Sequence, residues 1–94
     1  MKYLTWDNEK NKQLKKERNI SFEIVSYFIE TKQILDIIRH PNEHKYPGQK
    51  IFIISYNNYV YLVPFVENES QIFLKTIIPS RKATKKYLKG DKNG

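Results

Sequence analysis

The chain has 94 residues, no cysteine, and 17 Lys plus Arg against 10 Asp plus Glu, for a net charge of +7. That length supports one domain with one modest core, burying roughly 60–65% of the surface its unfolded chain would expose. The missing thiols exclude a disulfide framework and a thiolate zinc site, and the positive surplus points to RNA, DNA or an acidic protein as partner.

The opening residues MKYLTWDNEK lack the continuous apolar stretch of a signal peptide, and no uncharged apolar run approaches the roughly 20 residues that cross a bilayer. A soluble, cytoplasmic domain with no membrane partner is the expectation. Residues 1–19 carry six basic and three acidic side chains, residues 20–79 five and six, and residues 80–94 six and one. The surplus therefore sits at the two ends. The layout expected is a single domain over residues 1–89 and a polar tail over residues 90–94, with Lys89 and Lys92 in a solvated terminus.

Lys2 to Trp6 is short, alternating and aromatic, which predicts a strand. Asp7 offers a side-chain cap to a polar helix over Asn8 to Arg18, in which Leu14 is the only strongly apolar residue. Asn19 suits the left-handed position that ends such a helix, and Ser21 suits the cap of the next. Phe22, Val25, Phe28 and Ile29 recur at three- and four-residue spacing, so Phe22 to Glu30 reads as an amphipathic helix that supplies core.

At Gln33 the period changes. Ile34, Leu35, Ile37 and Ile38 form a β-branched run interrupted by Asp36, and it ends at His40-Pro41, because proline holds the preceding residue extended. His40 to Gln49 contains two prolines and a glycine and reads as a long loop. Lys50 to Tyr56 and Tyr59 to Val66 read as strands joined by an Asn57-Asn58 hairpin turn, since asparagine tolerates positive φ. Glu67 to Ser70 makes a second turn into a last strand, Gln71 to Ile78. Pro79-Ser80 then opens a helix over about Arg81 to Leu88 that Gly90 ends.

Pro64 cannot donate to a ladder, so its place should be a sheet edge, a bulge or a strand end. The last three strands are apolar on both faces, unlike a sheet with one face in water. Helices one and two can cover one face. The C-terminal helix looks too small for the other, which leaves a partner protein or self-association to cover it. The class that emerges is α+β, a small antiparallel sheet with two N-terminal helices and a short C-terminal helix, in the order βααββββα.

The strongest chemical signal is Ile77 to Tyr87, IIPSRKATKKY. On a helix, Arg81 and Lys85 form one ridge and Lys82 and Lys86 the next, giving a cationic strip. Positive charge at a helix N-terminus opposes the macrodipole, and a bound phosphate would relieve that repulsion. A solvated basic face is the alternative. His40 and His44 are the only histidines; they titrate near neutrality, and His40 is the better candidate for proton transfer. Their i, i+4 spacing does not make a metal pair, because Pro41 opposes a helix across them, so neither metal nor cofactor is expected. Trp6 and the tyrosines fit core packing better than base stacking, and Glu67 reads as a turn carboxylate.

Three stretches together resemble the BrnT toxins, RelE-like bacterial endoribonucleases made with an antitoxin. They are Trp6, Asp7 and Lys10; Leu14 with Ile20, Ser21, Phe22 and Glu23; and Ile77, Ile78, Arg81, Ala83 and Thr84. The likeness spans about Trp6 to Tyr87. It implies a RelE-like fold and metal-independent cleavage of RNA that inhibits translation. The implied partners are an RNA substrate and a cognate antitoxin, with the complex on operator DNA. By this likeness Arg81 and Lys10 match the arginine of the closing motif and the lysine of the opening one; on its own chemistry Arg81, whose planar fork suits phosphate, is the expected clamp of the scissile phosphate, with Lys85, His40 and Tyr87 as further catalytic candidates. Lys10, Lys82, Lys86 and Lys75 would hold flanking phosphates. The chain departs from the family at Pro64, where relatives often carry a histidine, so no proton transfer is assigned there. The alternative is a domain of the same fold that binds nucleic acid or protein without catalysis.

Overall fold

The computed structural model describes residues 2–89. In chain order these form β1 (Tyr3–Thr5), α1 (Asn8–Arg18), α2 (Phe22–Glu30), β2 (Asp36–Arg39), β3 (Lys50–Tyr56), β4 (Tyr59–Glu67), β5 (Gln71–Leu74), β6 (Ile78–Pro79) and α3 (Arg81–Thr84), the last continuing into a π-helical turn (Lys85–Lys89). The class is α+β, as the sequence leads one to expect. The polar tail expected over 90–94, and Gly90 as the helix stop, lie outside the described residues.

The strands form one sheet in the order β1-β5-β4-β3-β2, with β6 also paired to β4. Every pairing is antiparallel except β1 with β5, which is parallel. The sheet is thus the small, mostly antiparallel one expected, with a single parallel pairing at β1 that the sequence did not foretell. The reason is topological: two helices separate β1 from the rest, and the chain returns to the sheet from the far side. The β3–β4 hairpin turns at Asn57 and Asn58, both at positive φ (59° and 65°), the pair of left-handed residues that a two-residue turn requires.

The expected last strand, Gln71 to Ile78, is broken in two. Phe65 pairs with Leu74 and Leu62 pairs with Ile78, so two residues of β4, Val63 and Pro64, face three, Lys75 to Ile77. That mismatch is a bulge. It falls opposite Pro64, whose carbonyl accepts from the Lys75 N–H (2.8 Å) and which has no N–H left needing a partner. Pro64 therefore sits inside a central strand without breaking it. The strand expected from Ile34 is shorter too, starting at Asp36, while Ile34 packs against the core.

Helices α1 and α2 cover one face. Asp7 and Ser21 accept from the Glu9 and Ile24 N–H groups as caps, and Asn19 ends α1 at φ 58°. Leu14, Ile20, Phe22 and Val25 pack on Phe52, Ile54, Val63, Phe65, Leu74 and Ile77, and Trp6 stacks on Phe22 with centroids 5.6 Å apart. Full burial of a side chain such as Phe22 contributes about 1.5–3 kcal/mol. The corner between the two helices is fixed by Asn11, which is buried: its Oδ1 accepts from the Phe22 N–H (2.8 Å) and its Nδ2 donates to Glu23 (2.9 Å). That bond, ahead of the nearby Lys15 charge, holds the Glu23 carboxyl below its ordinary pKa.

The opposite face corrects another expectation. The C-terminal helix does cover its middle: Ala83 and Tyr87 pack on Ile51, Ile53, Val60 and Leu62. Outside that cover, Val66, Phe73 and Ile78 stay exposed.

Two outcomes follow. Asn11→Ala strands the buried Phe22 N–H and should cost about 1–3 kcal/mol in a denaturant melt. Glu67 accepts from Lys2 (3.1 Å) and Lys50 (3.3 Å), and the Lys2 bond leads in lowering its pKa. A lowered native pKa means that the unfolded chain binds the extra proton, so this contribution is present above about pH 4.5 and fades as pH falls through the native value. For a half-exposed cluster it amounts to about 1 kcal/mol or less. Glu67→Gln should flatten the acid limb of the stability–pH curve and leave stability at low pH unchanged.

Candidate functional site

The C-terminal helix is held by a chain of polar contacts that begins in the sheet. Ser80 donates its N–H to the Val60 carbonyl (3.0 Å), which extends the β6 pairing by one residue. Its Oγ accepts from the Ala83 N–H (3.1 Å) as the helix cap. Thr84 is buried; its Oγ1 accepts from the Val60 N–H (2.9 Å) and donates to the Ser80 carbonyl (2.7 Å). One hydroxyl thus joins strand to helix. The small Ala83 lets the helix approach Val60 and Ile53 closely.

At the far end Tyr87 donates its hydroxyl to Asp36 Oδ2 (3.0 Å), tying the helix to β2. Burial, then the Asp36 bond, raises the Tyr87 pKa above its ordinary value, so the phenol stays protonated at neutral pH. Asp36 Oδ1 accepts from the Ile37 N–H (2.8 Å). Asp36 and Thr84 are residues whose roles sequence reasoning missed. Asp36 left a signal, as the one charge inside an apolar run; Thr84 left none that composition could separate from an ordinary helix residue.

Between helix and sheet lies a hollow of about 240 Å³, floored by Ile38, Ile53 and Leu62 and rimmed by Ser80, Lys82, Ala83, Lys86 and Tyr87. The Lys86 ammonium stands 5.4 Å from the Tyr87 ring centroid. Of the two basic ridges, Lys82/Lys86 faces this hollow. Arg81 and Lys85 are exposed and outside its lining. None of the four forms an ion pair with another described residue.

The other candidates lie apart. Lys10 is on α1, which packs on the opposite face of the sheet, so the grouping of Lys10 with the C-terminal cations is corrected. Lys75 is exposed in the bulge after β5. His40 follows β2; its Nδ1 accepts from the Asn42 N–H (3.0 Å) and its ring lies 4.3 Å from Tyr46, centroid to centroid. His44 is exposed in the same loop. No group of three metal-ligating side chains occurs among the described residues.

Thr84→Val keeps shape and removes the bridge, leaving the buried Val60 N–H unsatisfied. It should lower stability by about 1–3 kcal/mol and speed amide exchange at the start of β4, whereas Tyr87→Phe should change stability by about 1 kcal/mol at most. Compared with known protein families, curated proteins and solved structures, the chain gives no match.

Proposed function

We propose that this protein binds RNA through its C-terminal helix and acts as the metal-independent endoribonuclease toxin of a bacterial toxin–antitoxin pair. The observation that carries the reading is the placement of Lys82 and Lys86 on the rim of an apolar-floored hollow, in a helix with four cations in six residues and no carboxylate of the described residues paired to them. Like charges held this close to one another repel, and a phosphodiester offsets that repulsion. The likeness of the three sequence stretches to RelE-like toxins supports the same function.

In this reading Lys82 and Lys86 hold the backbone at the hollow while Arg81 and Lys85, on the adjoining ridge, reach the non-bridging oxygens of the neighbouring phosphate. Cleavage proceeds by attack of the ribose 2′-oxygen on phosphorus as its proton passes to solvent water. The 5′-oxygen leaves with a proton, giving a 2′,3′-cyclic phosphate and a 5′-hydroxyl. The guanidinium of Arg81 stabilises the crowded phosphorane, since preorganised charge supplies the larger share of such catalysis. Tyr87 positions Lys86 and the helix; with its hydroxyl committed to Asp36 it is not assigned proton transfer. An antitoxin covers the cationic helix and the exposed Val66, Phe73 and Ile78 beside it.

A second reading, a domain that binds RNA without cleaving it, is favoured by two observations: His40 is not part of the hollow's lining, and Tyr87 is bonded away. Total RNA incubated with the purified protein, with and without chelator, separates the two. Fragments bearing cyclic phosphate ends, lost in Arg81→Ala, support the toxin. Intact RNA that remains bound supports the second reading. In either case Lys82→Ala/Lys86→Ala should weaken single-stranded RNA binding and reduce the slope of log affinity against log salt by about 1.4, from about 0.7 per lost phosphate contact. An unchanged slope would remove the helix from the interface.

A further inference from the structure

We infer that β2 is a self-association edge, and that two copies of this chain pair β2 to β2 in antiparallel register with Ile38 facing its own counterpart. The inference is independent of the proposed function. β2 closes one side of the sheet, and all four of its residues are exposed, with Ile37 at 52% and Ile38 at 37%. Exposed aliphatic edge strands are templates for another strand.

A different edge of the same sheet is blunted. At β6 the Ile77 carbonyl accepts from Arg18 (2.6 Å) and Pro79, between the inward-bonded Ile78 and Ser80, has no N–H to offer. On β2, by contrast, His40 donates inward to the Gln49 carbonyl (2.9 Å). Backbone groups alternate along a strand, so Ile38 and Asp36 also point inward to β3, while Ile37 and Arg39 present theirs to the outside. Among the described residues the Ile37 N–H is occupied only by the neighbouring Asp36 side chain.

The occupant follows from charge. The strand runs from Asp36 at its start to Arg39 and His40 at its end. A parallel copy would set like against like, whereas an antiparallel copy sets acid against base. Facing residues must share a face of a continuous sheet, which restricts the register to Ile38 opposite Ile38 or Ile37 opposite Ile37. Only the first places Asp36 opposite His40 of the second copy. It also pairs Ile37 with Arg39 of the second copy through backbone bonds on both sides of the two-fold, freeing the Asp36 carboxylate from the Ile37 N–H. The two-fold axis is perpendicular to the sheet, so both C-terminal helices lie on one face of the joined sheet.

The chain has no cysteine, so single thiols report the register. In the paired state Ile38 is a non-hydrogen-bonded pair, whose close Cβ separation suits a disulfide. Sedimentation of the full chain should show a dimer fraction that rises with concentration, and Ile38→Cys should oxidise to a covalent dimer faster than Ile37→Cys. Ile37→Lys, at an exposed site, should keep its circular dichroism and dimerise about tenfold more weakly, because it opposes Arg39 of the second copy twice across the two-fold. A chain that is monomeric at its highest soluble concentration, with no cross-linking at either thiol, overturns the inference. Faster cross-linking at Ile37→Cys overturns the register.

Discussion

Pro64 removes one backbone donor from the middle of the central strand, and the architecture at the C-terminal end follows from that loss. A regular ladder between β4 and a continuous last strand would need a donor at this position. The chain instead bulges over Lys75 to Ile77 and resumes pairing at Ile78, so that Ser80 meets Val60. The offset delivers the helix start to the end of the sheet, where it crosses to the face that α1 and α2 leave open. Arg18 fixes the crossing by bonding the Ile77 carbonyl from the opposite layer.

Once there, the helix is held by few groups. Thr84 accepts from the Val60 N–H and Ser80 donates to the Val60 carbonyl, the two bonds a neighbouring strand would otherwise provide, and Tyr87 closes the far end on Asp36. Beside these anchors the Ala83 methyl and the Tyr87 ring pack with Ile53 and Leu62, and the charged side chains are left on the outer surface and rim. The cationic character of the helix is therefore compatible with a packed inner side. Its four charges are spread over two ridges, of which only one borders the hollow.

The same economy explains the edges. A bulge, a proline and an arginine silence β6, while β2 is left with outward backbone groups and exposed isoleucines, with the Asp36 carboxylate bonded to the Ile37 N–H. Asp36 thus serves both the edge and the helix anchor. Loss of that side chain would loosen two features at once.

Local elements were legible in the amino-acid sequence because each rests on neighbours in the chain: the caps at Asp7 and Ser21, the left-handed Asn19, the Asn57-Asn58 turn and the apolar spacing of α2 all act within a few residues. Composition likewise located the basic C-terminal strip. What the sequence could not settle depends on partners far along the chain. The parallel seat of β1, the bulge opposite Pro64, the cover given to the second face and the separation of Lys10 from Lys82 and Lys86 are decided by strand order and layer. Hydrogen bonds between Thr84 and Val60, or Tyr87 and Asp36, span 24 and 51 residues, and no periodicity within a short window carries that information.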